Sequence, residues 1–307
     1  MQNKTLLFGV IAIVVIGGIA ILATKNNSKP LGNVGVYCSP DGTLSGTKPI
    51  QSHRSYCLKT DSSGKTYAVN AQNEYSFSIV DDQGNTLKDF AITHTKSMHV
   101  IVVRKDLANF QHVHPEYDQT TGTFTLKDLT FPADGQYRIF ADFAPEGGIK
   151  DPMGMSLAVT ISEDISVGSN YTPQPLGSEE KTKTFDEYRV SLATHSALMS
   201  GAESMLMFSI SQNGKPITDL EEYLGALGHS VIIRESTLDF IHAHPIGVQN
   251  QNGTVSFMVN FPEAGKYKVF AQFQRAGKVF TTDFVVSVAQ NEQIPDMSMP
   301  GMDHSMP

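Results

Sequence analysis

One stretch of sequence occurs twice in this chain, and both copies keep the same histidines. The matching residues are His99, His112, His114 and Pro115 in the first copy and His229, His242, His244 and Pro245 in the second. A further block, from Phe131 to Phe143, recurs from Phe261 to Phe273 at the same separation of 130 positions. Since an internal repeat sets the architecture of a chain, we expect two copies of one fold, each carrying three histidines.

The segments around the histidines are typical of β-strands. Residues 75–80 alternate apolar and polar side chains, and residues 98–103 are predicted to form a buried strand. Turn residues such as Asn213-Gly214 separate these segments at regular intervals, which indicates antiparallel sheets. The predicted fold class is all-β, with two tandem immunoglobulin-like antiparallel β-sandwiches after an N-terminal transmembrane helix.

Two local features refine this prediction. Residues 219–227 favour a short helix in the second unit. Tyr137 and Tyr267 each follow a glycine turn and precede a strand. They are either the corner tyrosines of an immunoglobulin-like fold or ordinary half-buried strand residues.

Composition divides the chain into six segments. They are an N-terminal membrane anchor or signal segment (1–30), a cysteine-containing loop or hairpin region (31–65), β-sandwich repeat 1 (66–166), a linker (167–185), β-sandwich repeat 2 (186–290) and a flexible tail rich in Met and His (291–307). The net charge of −8 and the absence of a basic stripe argue against nucleic acid as a partner. The sequence names no protein partner.

The first thirty residues predict the location of the protein. Residues 5–24 carry no charge, and a helix of about 20 residues spans the roughly 30 Å of a bilayer core. We expect an uncleaved anchor, a single pass through the cell membrane and soluble domains on the extracytoplasmic side. The alternative is secretion after signal cleavage near Ala23.

Only two cysteines occur, Cys38 and Cys57, just beyond this segment. In an oxidising compartment they are expected to form a disulfide. A thiolate metal site with the nearby His53 is the alternative, although the cysteines lack a Cys-x-x-Cys spacing.

The three histidines of each copy are predicted to share one face of a hairpin. His112 and His114 are two positions apart on a strand, so their side chains project from the same face. His99 lies on the preceding strand and joins that face if it stands opposite His112 or opposite His114. The same spacing holds for the second set, at His229, His242 and His244.

Three imidazoles on a rigid hairpin suit Zn²⁺ or Cu²⁺, with one coordination position left open. Asp142 and Gln272, which are equivalent in the repeat, are candidates to orient a histidine as hydrogen-bond partners. Soft thioether ligands for copper are predicted in addition at Met153 and Met155, and in the tail at Met297, Met299, Met302 and Met306 together with His304. The cofactor is therefore predicted to be copper or zinc.

A different interpretation stays open. The histidines are then packing residues of a non-catalytic immunoglobulin-like interaction module. An enzyme is not predicted, because no general base, nucleophile triad or phosphate loop accompanies the histidines, although an open three-histidine site permits metal-dependent chemistry.

Two resemblances bear on these interpretations. The Phe-Pro-x-x-Gly-x-Tyr blocks and the segment from Asp239 to Pro245 resemble exported bacterial sandwich-type proteins with a repeated His-x-His-Pro motif, mostly uncharacterised and sometimes associated with heavy metals. That likeness implies a sandwich fold and an extracytoplasmic location. The tail Met-Ser-Met-Pro-Gly-Met-Asp-His-Ser-Met resembles the Met/His repeats of periplasmic copper-resistance proteins, which implies copper.

Overall fold

The computed structural model describes residues 56–150, 154, 156–247 and 252–292, together with the backbone of residues 35–38; for His244 it describes the backbone alone. These residues form strands, turns and loops, so the all-β prediction is confirmed for the described part of the chain. The predicted transmembrane helix within 1–30 lies outside it. Among the described residues no helix is long and apolar enough to cross a membrane.

The first unit is a sandwich of two sheets. Its strands are β1 (Gly35–Cys38), β2 (Tyr56–Thr60), β3 (Thr66–Tyr67), β4 (Asn73–Asp81), β5 (Phe90–Ala91), β6 (His99–Arg104), β7 (Gln111–Val113), β8 (Glu116–Asp118), β9 (Thr123–Leu129), β10 (Gly135–Pro145) and β11 (Val159–Val167). One sheet has the order β1-β2-β4-β9-β8, and the other has the order β3-β11-β10-β6-β7 with β5 beside β10. Apolar side chains from both sheets, including Tyr75, Phe124 and Phe143, fill the core between them.

The cysteine-containing region belongs to this first sandwich. Its strands β1 and β2 extend one sheet, and Tyr56 and Leu58 of β2 enter the core. In the pairing of these strands Cys38 lies opposite Cys57. Opposed residues of an antiparallel pair have Cα atoms about 4.5–5.5 Å apart, which is within the range of a disulfide. The disulfide remains a prediction, and this register allows it.

The second unit repeats the sandwich. Its strands are β12 (Thr182–Phe185), β13 (Tyr188–Thr194), β14 (Glu203–Gln212), β15 (Lys215–Pro216), β16 (His229–Arg234), β17 (Phe240–Pro245), β18 (Thr254–Asn260), β19 (Gly265–Arg275) and β20 (Lys278–Val288). They follow the order β12-β13-β14-β18-β17-β16-β19-β20, with β15 beside β14. The predicted linker therefore ends in a strand, β12.

The second strand of each histidine hairpin leads from one sheet to the other. In the second unit β17 pairs first with β16 and then, through His244 and Pro245, with β18. In the first unit the equivalent strand is interrupted at Pro115, which separates β7 from β8. A proline has no N–H to donate to a ladder, so it marks the end of regular pairing.

The short helix predicted at 219–227 is wrong. The backbone groups of Tyr223 and Ala226 close a tight turn there. Within that turn Leu224 and Gly225 have φ angles of 56° and 78°. A right-handed helix requires φ near −60°, so the apolar spacing of this segment reflects packing beside the sandwich rather than helical periodicity.

The two repeated turns before β10 and β19 carry tyrosine corners. The Tyr137 hydroxyl donates a hydrogen bond to the Ala133 carbonyl at 2.9 Å, and the Tyr267 hydroxyl donates to the Glu263 carbonyl at 2.7 Å. Both tyrosines are fully buried. This backbone bond a few residues upstream defines the tyrosine corner, so that interpretation is confirmed and the half-buried one is wrong.

The two sandwiches pack against each other through the outer faces of the sheets that contain β6 and β16. Along β6, Val100 and Val102 enter the first core, while Ile101 and Val103 point the other way. The outward residues meet their counterparts in a separate apolar cluster of Ile101, Val103, Leu107, Phe140, Val231, Ile233, Leu238 and Phe270. Both faces of β6 are therefore buried, which explains the run of apolar residues from Val100 to Val103.

The contacts across this interface are reciprocal. Phe110 of the first unit stacks on Phe270 of the second with ring centroids 4.2 Å apart. The repeat-equivalent contact joins Phe240 to Phe140 at 5.1 Å. Reciprocal pairs of this kind are the mark of an approximate two-fold relation, and the faces that meet are those that carry the histidines.

Candidate metal centre

The observed strand register brings the histidines of each hairpin onto one face, as predicted. Ile101 pairs with His112 and Val100 with Val113, so the same register places His99 opposite His114. In the second hairpin Val231 pairs with His242, which reproduces that register. Of the two arrangements that the spacing allowed, the structure has the one with the first histidine opposite the third.

The first histidine group contains His99, His112 and His114. Nδ1 of His99 lies 3.1 Å from Nε2 of His112 and 3.1 Å from Nε2 of His114. Three ring nitrogens, from β6, from β7 and from the residue that follows β7, therefore lie close together. His99 is 2% exposed, while the other two side chains are partly exposed.

The second histidine group contains His94, His229 and His242, and its candidate ligand atoms lie within 4.8 Å of one another. Nε2 of His242 is 3.5 Å from Nδ1 of His229. Nε2 of His229 is buried and has no hydrogen-bond partner among the described residues. The side chain of His244, predicted as the third member, is not described.

His94 is the residue that sequence reasoning missed. It lies in the first sandwich, in the turn that joins Thr93 to Lys96, and has a φ of 48°. Its repeat equivalent in the second unit is Leu224, so a search for repeated histidines passes over it. The only signal was its position five residues before His99. The second group thus takes ligand candidates from both sandwiches.

Each sandwich also orients a histidine of the other. Nδ1 of His112 donates to Oε1 of Gln272 at 2.7 Å, and Nδ1 of His242 donates to Oδ2 of Asp142 at 2.9 Å. Asp142 and Gln272 pair in their own sheets with His99 and His229. The two residues were predicted to orient a histidine, and their side chains do so across the interface.

The two groups lie side by side. The ring of His99 is 5.8 Å from the ring of His242 and 6.4 Å from that of His229, measured between centroids. The ring of His94 is 6.0 Å from that of His99 and 5.1 Å from that of His229. The six histidines therefore form one continuous cluster at the edge of the apolar interface.

Five imidazoles of the cluster have a lowered pKa, which favours their neutral form. Burial, reinforced by neighbouring imidazoles, lowers the pKa of His94 to about 4, that of His114 to about 3 and that of His229 to about 2. Burial also lowers the pKa of His99 and His112. A neutral imidazole is the form that binds a metal ion, so no proton has to be displaced from these rings at neutral pH.

Each group borders a surface cavity. A cavity of about 430 Å³ adjoins His94 and is lined by Glu222, Leu224 and Pro245 among others. A second cavity of about 240 Å³ adjoins His114 and includes Glu116. Both histidine groups are therefore next to a route from solvent.

The repeat is also recognised by a family model. A domain of unknown function, DUF8832, matches residues 56–152 and 182–290, which together make up more than half of the chain. The chain belongs to the DUF8832 family. The two matched stretches correspond to the two sandwiches, so this DUF8832 chain carries the family fold in both units.

Three solved structures that are similar to this DUF8832 chain have low sequence identity to it. Titin immunoglobulin tandem domains A164-A165 share 14% identity over 74% of this chain and 91% of that one, with a TM-score of 0.19. InvD of Yersinia pseudotuberculosis shares 14% identity over 84% and 58%, with a TM-score of 0.24. Domains 4 and 5 of the S-layer protein SbsC share 10% over 83% and 97%, with a TM-score of 0.21. Such scores do not establish a shared arrangement, and no curated protein matches the chain.

The other predicted ligands of this DUF8832 chain lie outside the described residues. They are Met153 and Met155 on the connection before β11, and Met297, Met299, Met302, His304 and Met306 in the tail. Their role as thioether or imidazole ligands stays a prediction.

Proposed function

We propose that this protein is a membrane-anchored, extracytoplasmic metal-binding protein that holds copper or zinc between its two sandwiches, for sequestration or transfer. The convergence of ring nitrogens supports this proposal. Nitrogen ligands of a tetrahedral metal ion at 2.0–2.1 Å stand about 3.3 Å from one another. In the first group Nδ1 of His99 is already 3.1 Å from Nε2 of His112 and from Nε2 of His114, so little rearrangement is needed. The Met-rich tail favours copper, because thioether sulfur is a soft ligand.

The contact between His99 and His112 carries the proposal. Nε2 of His99 faces the Thr93 carbonyl at 3.0 Å, and a carbonyl can only accept, so that nitrogen holds the proton. Nδ1 of His112 donates to Gln272. In the neutral rings the remaining nitrogens, Nδ1 of His99 and Nε2 of His112, are both lone-pair acceptors at 3.1 Å. A cation between them converts this repulsive contact into coordination.

His242 supports the proposal in the second group. The Asp142 carboxylate can only accept, so Nδ1 of His242 holds a proton, and in the neutral ring Nε2 has the lone pair. Nε2 points to His229, whose own Nε2 is buried without a hydrogen-bond partner among the described residues. Buried polar atoms normally have a partner, and a bound ion would supply one.

A second candidate function is a non-catalytic interaction module with structural histidines. The bonds of His112 and His242 to the opposite sandwich favour it, because they join the two units without a metal. If the Gln272 amide is flipped, its nitrogen donates to Nδ1 of His112. Nε2 of His112 can then carry the proton and donate it to Nδ1 of His99, so that this pair forms a hydrogen bond without a metal ion. An all-β tandem by itself fits such a module equally well.

Metal stoichiometry distinguishes the two functions. The full-length chain, purified in mild detergent without an affinity tag, is titrated with Zn²⁺, Cu²⁺ and, under reductant, Cu⁺, and bound metal is counted after desalting. We expect metal bound in amounts close to stoichiometric. His94→Ala and His114→Ala each remove one partly exposed member of a histidine group. We expect each variant to lose part of the bound metal.

The control is His195→Ala, which removes an exposed histidine outside the cluster and should retain all the metal. Truncation after Glu292 tests the tail separately. If metal is lost only on truncation, the tail is the sole binder and the sandwiches are a scaffold. If the intact chain retains no metal, the metal proposal is wrong and the interaction module is the better account.

A further inference from the structure

We propose that the two histidine groups form one centre with unequal halves, in which the half containing His242 holds a divalent cation more tightly than the half containing His112. The difference lies in the residue that supports each half, a carboxylate at Asp142 and an amide at Gln272. This inference rests on the proposed metal-binding function and concerns the order in which its sites fill.

The two supports are built alike except for their charge. Thr160 donates from Oγ1 to Oδ1 of Asp142 at 2.7 Å, and the other carboxylate oxygen accepts from His242 at 2.9 Å. In the second unit the Gln272 amide donates to Oγ1 of Thr281 at 3.1 Å and accepts from His112 at 2.7 Å. The repeat therefore provides an internal comparison, in which the same pair of hydrogen bonds is made by a carboxylate in one half and by an amide in the other.

The carboxyl group of Asp142 is buried, and both of its oxygens have a hydrogen-bond partner. Asp142 is 2% exposed, and its oxygens accept from Thr160 and His242. Hydrogen bonds donated to a carboxylate favour its charged form. A carboxylate bonded to the outer nitrogen of a ligating histidine makes the imidazole a stronger donor and compensates the charge of the ion. An amide does neither to the same degree.

The short distance between the halves adds to the difference. His99 of one half and His242 of the other have ring centroids 5.8 Å apart, so ions in both halves would repel each other through a buried, weakly screened environment. The ion that binds first takes the half with the carboxylate. The second ion then binds against the charge of the first.

The test measures Zn²⁺ affinity in full-length chains that keep one half only. His114→Ala removes a ligand candidate of the first half, and His94→Ala removes one of the second. Asp142→Asn and Gln272→Glu are then placed in each background, and Zn²⁺ affinity is measured by competition with a chromophoric chelator. Unfolding temperatures of the metal-free variants show whether each one folds.

We expect Asp142→Asn to weaken Zn²⁺ binding by about 10- to 100-fold in the His114→Ala background and to change it little in the His94→Ala background. We expect Gln272→Glu to strengthen binding in the His94→Ala background. Equal affinities in the two halves, or an Asp142→Asn effect of the same size in both backgrounds, would overturn this inference and leave the proposed function intact. No Zn²⁺ binding by the unmodified chain would overturn both.

Discussion

A buried carboxyl group in the first sandwich should make the stability of this protein depend on pH. Glu163 on β11 is 2% exposed and accepts hydrogen bonds from the hydroxyls of Tyr75 at 2.5 Å and Ser62 at 2.8 Å. Burial raises the pKa of Glu163 from 4.5 to about 7, and these hydrogen bonds offset only part of that effect. The register places Phe284 at the equivalent position of the second sandwich, so the fold does not require a carboxyl there.

The direction in which stability changes with pH follows from the number of protons that each state binds. Between the unfolded pKa of 4.5 and the folded pKa of about 7, the folded state binds more protons than the unfolded state. Stability therefore falls as pH rises through this interval. With about 1.4 kcal/mol for each pKa unit, ionised Glu163 costs about 3 kcal/mol above pH 7. About 2 to 3 kcal/mol of this cost develops between pH 5 and pH 8.

The assay compares the unmodified chain with Glu163→Gln. Both are unfolded in urea at pH 5 and at pH 8, and tyrosine fluorescence reports unfolding because the chain has no tryptophan. From pH 5 to pH 8, we expect the free energy of unfolding of the variant to rise by about 2 to 3 kcal/mol relative to that of the unmodified chain. The lowered pKa values of the histidines make both proteins less stable as pH falls. This contribution is the same in the two proteins, so it cancels when they are compared.

Glu74→Gln is the matched control, since Glu74 lies on β4 beside Tyr75 but is exposed. The difference in the free energy of unfolding between Glu74→Gln and the unmodified chain should be the same at pH 5 and at pH 8. The assignment of a raised pKa to Glu163 is refuted if the free energy of unfolding of Glu163→Gln, relative to that of the unmodified chain, stays constant or falls from pH 5 to pH 8.

Three further changes test other parts of the structure. Phe140→Ala should destabilise the protein by about 3 kcal/mol or more, because Phe140 is 2% exposed between the sandwiches; a cost below about 1 kcal/mol would argue against the packed interface. Tyr267→Phe should cost about 1 kcal/mol in urea unfolding, through loss of its corner hydrogen bond, and an unchanged stability would contradict that role. If Cys38 and Cys57 form the proposed disulfide, mass spectrometry of a non-reduced digest will find their peptides linked, and Cys57→Ala should cost about 3 kcal/mol.

Much of the fold could be predicted from local patterns. The alternation at 75–80 and the turn at Asn213-Gly214 predicted strands that the structure contains. The error at 219–227 has a physical cause, because spacing alone does not separate a short helix from a turn that packs apolar residues against a sheet. Positive φ at Leu224 decided between them, and a leucine gives no sign of that conformation.

The candidate site was predicted only in part for a similar reason. The spacing of His99, His112 and His114 required one shared face, whichever of two registers formed. His94 was missed because it joins its partners through a turn that carries it toward the other sandwich. The number of residues that separate His94 from His229 and His242 in the sequence does not indicate that the three side chains lie close together in space.

The sequence by itself determined two sandwiches, their strands and the common face of each histidine hairpin, because these depend on side-chain periodicity within short segments. Only the tertiary structure decided that the two faces meet. The outward apolar residues of β6 and β16 have no core of their own to enter, so they are buried by packing the sandwiches together. That contact gathers six histidines and gives His242 its carboxylate from the other repeat, which no pattern along either repeat could specify.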